Sequence, residues 1–320
     1  MPDADLPMAG KTCLVTGATA GIGQATALEL ARLGATVVVV GRNPARCQAA
    51  VALIHRETSN PQVEFLCADL SSQAEIRRLG GEFHARHKHL HVLVNNAGAL
   101  FTRACESAEG IEMTFALNHL GYFLLTSLLL DTLKASAPAR IVIVSSDAHK
   151  RVAEFDFTGL ERTRANGAKS TRRQAFLGLI LPWKHPALQL YCQSKLANML
   201  FTYELARRLA GTGITVNAVN PGWVATNITA GNGLLGWMMR RYMERYGVSA
   251  AEGAQTAIYL ATSPEVEGVT GQYFQLNKPW SSSVAAQDEA AARRLWQLSE
   301  ELTESAGDSA AQPDIARAVT

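Results

Sequence analysis

Apolar residues fall into two rhythms along the chain. Thr12 to Thr16, Thr36 to Val40, Val63 to Cys67, His91 to Val94, Ile141 to Val144 and Ile214 to Val219 are short runs rich in β-branched residues. Runs of that kind predict parallel strands buried on both faces. Between them lie longer helical patterns with helix punctuation, such as Asn43-Pro44 opening one helix and Gly34 closing the one before it. Repeated strand–helix–strand units predict an α/β fold built on a doubly wound parallel sheet. A seventh strand near Gln272 to Gln275 completes the sheet, Asp288 to Leu302 reads as a terminal amphipathic helix, and the residues from Thr303 on are expected to form a frayed, flexible tail.

Two stretches break this rhythm. Residues 150–189 are long for an α/β connection and divide into a basic half (Arg162, Arg164, Lys169, Arg172, Arg173) and an apolar half from Phe176 to Trp183. Residues 223–247 are rich in Trp, Leu and Met. Both follow strand ends on the side where open α/β sheets bind ligands, and together they are expected to wall an apolar substrate pocket.

Composition narrows the function. A length of 320 residues, 48% of them apolar and 18% charged, suits a globular protein with a sizeable core. Basic and acidic residues nearly balance, at a net charge of +2, so no footprint for nucleic acid stands out and a small-molecule partner is expected. Cys13, Cys47, Cys67, Cys105 and Cys192 are odd in number, widely spaced and without a C-x-x-C pair, which suits a reducing compartment. The first ten residues have neither a basic nor an apolar leader region, and the most apolar run, Leu120 to Leu130, is short for a bilayer. A cytoplasmic protein without a transmembrane segment is the expectation. His84, His87, His89 and His91 lack a spacing that would put three imidazoles around one ion, so no metal site is expected.

Chemistry concentrates at strand ends. Thr16-Gly17-Ala18-Thr19-Ala20-Gly21-Ile22-Gly23 joins the first strand to the first helix, where glycines let the backbone approach a pyrophosphate at a helix N-terminus. After the second strand, where an acid would bind a ribose 2′-hydroxyl, stands Arg42, which can pair a 2′-phosphate, so NADP(H) is favoured over NAD(H). Asp69, followed by Leu70 after the third strand, either contacts the adenine or caps the next helix alongside Ser71 and Ser72. Tyr191 and Lys195, four apart on a helix, share one face, and a nearby cation favours a phenolate. Ser145 and Ser146 end the fifth strand, where a hydroxyl can orient a reacting oxygen or simply cap a turn.

Thr16 to Gly23, Asn95-Asn96-Ala97-Gly98, Asn118, Ser145-Ser146, Tyr191 to Lys195 and Asn220-Pro221-Gly222, in this order, resemble the short-chain dehydrogenase/reductase family over about residues 9 to 302. Phe115 to Gly121, Ser194 to Asn198 and Arg294-Leu295-Trp296 are similar to its retinol-dehydrogenase-like branch. The resemblance implies a Rossmann-like domain with strand order 3-2-1-4-5-6-7. It implies hydride exchange between NADP(H) and a carbonyl or alcohol, here a lipophilic aldehyde or ketone of retinoid-like, long-chain or polycyclic type. By the same resemblance Tyr191 is the general acid/base, Lys195 holds the ribose and lowers the tyrosine pKa, Ser146 rather than Ser145 orients the substrate, and Asn118 supports a relay water. The cofactor contacts it implies are Gly17, Thr19, Ala20, Gly21, Ile22, Gly23, Arg42, Asp69, Leu70, Asn96, Ala97, Gly98, Tyr191, Lys195, Pro221, Gly222 and Thr226. Family members often pair through the helices holding Asn118 and Tyr191, which allows a homodimer. Forty-five positions separate Ser146 from Tyr191, so the intervening segment reads as an insertion over the active-site mouth. A protochlorophyllide-reductase-like C=C reductase shares such a segment, but its cysteine after Pro-Gly is Trp223 here. A non-catalytic NADP(H) sensor on the same fold is opposed by the intact Ser146, Tyr191 and Lys195.

Overall fold

The computed structural model describes residues 6–158, 186–224, 241 and 247–308, with side chains to 304. Its strands are β1 (Thr12–Thr16), β2 (Thr36–Gly41), β3 (Val63–Cys67), β4 (Val92–Asn95), β5 (Ala139–Val144), β6 (Ile214–Val219), β7 (Gln272–Gln275) and β8 (Lys278–Pro279). They form one sheet in the order β3-β2-β1-β4-β5-β6-β7-β8. The first seven pair in parallel, in the order implied by the resemblance. To these expected strands the structure adds an eighth: β8 runs antiparallel to β7, so the sheet is mixed at this edge. Leu276 and Asn277 both take left-handed backbone, φ 50° and 61°, and this two-residue turn folds the chain straight back on itself.

Strand residues alternate between two apolar layers. Leu14, Val38, Val40 and Leu93 face one layer, Cys13, Val15, Val37 and Val39 the other. The second layer is closed by α1 (Gly21–Arg32), α2 (Pro44–Thr58) and α6 (Ala250–Thr262). The first is closed by α3 (Gln73–Arg86), α4 (Met113–Ala135), α5 (Pro186–Arg208) and α7 (Glu289–Asp308). Helix starts follow their sequence signals: Asn43 accepts from the Arg46 amide ahead of Pro44, and Ser249 with Glu252 forms a full capping box.

α4 is longer than the apolar run Leu120 to Leu130 suggested. By length and composition it is a candidate membrane span, yet 72% of its apolar window is buried inside the fold, as in a core helix. α7 also outruns its expected end at Leu302. Gln73 donates to the Leu302 carbonyl (2.9 Å) and Arg77 to that of Thr303 (2.5 Å), which ties the last turns to α3. Trp296 of α7 stacks on Phe201 of α5 and meets Phe123 of α4 edge-on, with ring centres 5.9 and 5.0 Å away. Part of the α4/α5 face considered above for pairing two copies is therefore covered from within the chain.

Candidate active site

Tyr191 and Lys195 project from adjacent turns of α5, with the ammonium 5.6 Å from the phenol ring centre. Lys195 is only 3% exposed and donates to the Val144 carbonyl at 3.0 Å. Burial without a counter-charge pulls its pKa down to about 8. Burial also pushes Tyr191 well above the ordinary tyrosine range, while a hydrogen bond with Ser146 pulls the other way. This differs from the expectation that Lys195 lowers the tyrosine pKa. Its Nζ bonds the Val144 carbonyl and makes no hydrogen bond to the phenol among the described residues, and desolvation is the largest influence on Tyr191.

The two serines at the end of β5 separate cleanly. Ser145 is 1% exposed and its hydroxyl donates to the Lys195 backbone carbonyl at 3.1 Å, a bracing role. Ser146 accepts from the Ala148 amide at 3.2 Å, capping the 3₁₀ turn Asp147–Arg151, and faces Tyr191. Of the two, it is Ser146 that the structure brings beside Tyr191.

Asn118 sits in a π-helical turn, Ala116–Leu120, inserted near the start of α4. Such turns recur at functional sites because the extra residue redirects side chains. Its amide oxygen accepts from the Ala99 amide at 2.9 Å, and its nitrogen donates to the Ala99 carbonyl at 3.0 Å and to Ser194 Oγ at 3.1 Å. A Cβ on Gly98 would lie 3.2 Å from Asn118 Oδ1 and 3.8 Å from Lys195 Nζ, so the two groups converge over that glycine. Ser194 was quoted in the motif without a role; its position three residues after Tyr191, whose carbonyl it bonds at 2.8 Å, is the signal that could have found it.

The glycine loop is a cradle that side chains would fill. A Cβ on Gly23 would stand 2.4 Å from Asn96 Nδ2 and 2.6 Å from the Gly17 carbonyl, and one on Gly17 would stand 2.8 Å from Ala97 Cα. Gly17 and Gly21 have φ of 65° and 59°, in the left-handed region. Asn96 donates to the Thr16 carbonyl at 2.8 Å, while the amides of Asn96 and Ala97 bond Thr16 Oγ1 at 2.8 and 3.0 Å. Asn96 therefore braces the loop, and Asn95 braces the sheet through Thr126 at 2.9 Å. Ala20 is the N-cap of α1 and brings no side-chain cap, so the first amides after it, at Gly21, Ile22 and Gly23, open onto the loop. This backbone fits a dinucleotide pyrophosphate.

At the neighbouring strand ends, Thr19 packs where a Cβ of Gly41 would go, bringing Arg42 alongside the loop. The Arg42 and Arg46 side chains are exposed, and no ion pair joins either of them to another described residue. Arg46 was missed in the sequence; a cation in the first turn of α2 runs against the helix dipole, and that was the available signal. Asp69 stands after β3, where its Oδ1 accepts from the Ser71 amide (2.9 Å) and hydroxyl (2.7 Å), while Ser72 caps α3. Leu70 is buried and its carbonyl abuts Gly121. Gly222 has φ 80° and its amide donates to Asn220 Oδ1 at 3.1 Å, while Pro221 beside it is half-buried. Thr226 lies outside the described residues, as do Phe176 to Trp183 and most of 223–247; Trp223 itself is 64% exposed on the rim. His87 pairs with Glu64 at 2.5 Å and His91 accepts from the Thr12 amide at 3.0 Å, so two of the four clustered histidines are spent on local structure.

Residues 11–155 match the family model for short chain dehydrogenase, and residues 181–278 match one described as enoyl-(acyl carrier protein) reductase. Mouse retinol dehydrogenase 14 is 40% identical over 92% of this chain and 86% of its own length. The chain belongs to the short-chain dehydrogenase/reductase family. Within that family it falls in the retinol-dehydrogenase-like branch: human retinol dehydrogenase 13 is 39% identical over 90% of this chain and 82% of its own. Among solved structures, an uncharacterised protein of Mycobacterium paratuberculosis is similar at TM-score 0.69 and 31% identity, covering 95% of this chain and 97% of that one. Like other short-chain dehydrogenases/reductases, the protein is an oxidoreductase acting on CH–OH or C=O groups. A surface cavity of about 520 Å³ lined by Tyr203, Arg207, Gln272 and Trp280 lies further along α5 from Tyr191 and takes no part in this constellation.

Proposed function

We propose that this oxidoreductase uses NADP(H) and works on a lipophilic aldehyde or ketone of retinoid-like, long-chain or polycyclic type. The observation that carries the cofactor choice is Arg42, a cation at the end of β2 beside the glycine loop, with Arg46 in the adjoining helical turn. Two guanidinium groups suit a 2′-phosphate, with which they can pair as charges, better than a neutral ribose hydroxyl. For the substrate, support comes from the relatives, which are named retinol dehydrogenases, and from the Trp-, Leu- and Met-rich sequence of 223–247.

When bound, the nicotinamide supplies or accepts the hydride. With the cofactor bound, the loop amides from Gly17 to Gly23 would hold the pyrophosphate and the Lys195 ammonium would hold the ribose. Ser146 donates to the carbonyl oxygen of the substrate, and Tyr191, kept protonated by burial, gives that oxygen its proton as negative charge develops. Asn118 steadies the Ala99 backbone and supports the water that returns a proton. We further place the protein in the cytoplasm, which the internal packing of α4 favours; cell fractionation that finds it in the membrane pellet would overturn this.

The test is cofactor oxidation with NADPH and NADH side by side, across aliphatic aldehydes, retinoids, steroid ketones and quinones, for wild type and Arg42→Ala. NADPH should bind about ten- to a hundredfold more tightly than NADH, as expected of a charge-assisted contact, and Arg42→Ala should narrow the gap. Equal affinities in the wild type overturn the cofactor reading, and a small hydrophilic carbonyl as best substrate overturns the lipophilic one.

A further inference from the structure

The π-turn that aims Asn118 has a second side. His119, the next residue, points away from the active site into the packed layer between α4, α5 and α7, where it is 1% exposed. Burial drives its pKa down to about 3, so it is a neutral imidazole at any working pH. Ser299 of α7 meets it: the His119 Nε2 to Ser299 Oγ distance is 2.9 Å. The Ser299 hydroxyl donates to the Leu295 carbonyl at 2.7 Å, so it accepts from Nε2, which fixes the tautomer with hydrogen on Nε2.

On its other edge the ring meets Asn198, whose side chain acts on the imidazole, but the bond to Ser299 is the one that ties it to α7. Around it the aromatic rings of Phe115, Phe123 and Phe201 close the imidazole in, with centroids 4.9, 6.4 and 5.9 Å away. A π-turn is a local departure from the helical ladder that neighbouring contacts must hold in place. On one side Asn118 is tied to Ala99 and Ser194; on the other His119 is tied to Ser299.

We propose that Ser299 is a positioning residue for the reaction: through His119 it clamps the π-turn so that the Asn118 amide stays converged with Lys195 over Gly98. The idea rests on the reading that Asn118, Lys195 and Tyr191 carry the chemistry. It makes α7 a working part of the site although its own residues do not reach the reacting atoms.

The experiment compares full-length wild type, Ser299→Ala, Arg77→Ala, Asn118→Ala and His119→Gln, with and without Ser299→Ala added. Arg77→Ala loses a bond from α3 to the same helix, at the Thr303 carbonyl, away from the π-turn. NADPH oxidation is followed with all-trans-retinal and with the best carbonyl of the screen above, alongside NADPH affinity, melting temperature and amide exchange over residues 116–120. Ser299→Ala should lower kcat about tenfold, as a misplaced positioning group does, with KM and NADPH affinity within about twofold. It should also speed exchange in the π-turn, while Arg77→Ala lowers the melting temperature and leaves kcat and that exchange alone. In the His119→Gln background Ser299→Ala should add nothing, because the two act in series. The clamp is overturned if kcat and exchange in Ser299→Ala match the wild type, if Arg77→Ala lowers kcat as much, or if the two losses add. Wild-type turnover in Asn118→Ala would instead overturn the reading of the site on which the clamp rests.

Discussion

Tyr191 and Lys195 show what a buried site does to ionisable groups. Tyr191→Phe keeps the ring and removes the transferable proton, so turnover should fall by about 10² to 10⁴ with NADPH affinity nearly unchanged in a binding titration. Lys195 sets a pH limit. Its folded-state pKa of about 8 lies below the ordinary lysine value, so kcat/KM, which reports the free enzyme, should decline as pH rises through about 8 and the ammonium is lost. Stability should move the opposite way. Between about 8 and the ordinary value of 10.5 the unfolded chain binds the proton more tightly, so the penalty for burying the cation is full below pH 8 and is relieved as pH rises. Urea denaturation of wild type and Lys195→Met across that window checks it: only the wild type should gain stability from this group. Tyr191, Lys195, Ser146 and Asn118 could be singled out because their motifs are short, Ser146 just after β5, the Tyr–Lys pair on α5 and Asn118 in the first turns of α4. The dominant cause of the tyrosine pKa could not, since desolvation belongs to the packed layer and leaves no mark in the Tyr-Cys-Gln-Ser-Lys string. Asp69 was legible only as a choice between two roles, and the structure shows one of its carboxylate oxygens bonded to Ser71.

Strands and their order were the most readable elements, because a run such as Thr36-Val-Val-Val-Val can only be buried on both faces. Their ends were less so. β5 begins at Ala139, two residues early, since Arg140 pairs with Val92 in the ladder although its charge argues against a core strand. The π-turn at Ala116–Leu120 was invisible, because an apolar stretch with one extra residue per turn still reads as an ordinary helix. β8 was missed because it is two residues long, and the Leu276-Asn277 turn lacks the glycine that normally announces such a hairpin. The glycine loop yields a sharp prediction at this scale. Gly23→Ala would drive a methyl into the Gly17 carbonyl and the Asn96 amide, one of which is backbone and cannot step aside. Chemical denaturation should show a loss of about 1 to 3 kcal/mol from overpacking, and NADPH affinity should fall with it, because the cradle and the anion site are the same atoms.

Across the whole molecule, the C-terminal helix decides how the sheet's first layer is finished. Arg208 lies 4.1 Å over the Trp296 ring, and Arg294 lies 4.1 Å over Phe157, so α7 reaches from the far end of α5 to the segment after Ser146. Trp296→Ala should cost about 3 kcal/mol of stability, as large-to-small changes in packed aromatic clusters do. Light scattering should then show self-association through the uncovered Phe123 and Phe201; a variant that stayed as stable and as monodisperse as the wild type would show that the cover is dispensable. The length of α7 was legible only to Leu302, because its last turns are held by Gln73 and Arg77, more than two hundred positions away in sequence. That same separation has a consequence for synthesis. A ribosome delivers α4 and α5 well before α7, so for part of its production the chain holds all four reactive side chains with the imidazole of His119 and the rings beside it bare. A nascent protein arrested after β7 would have every parallel strand in place and still be a client for chaperones, and a premature stop before Ser299 should read in the cell as a turnover defect rather than a missing motif.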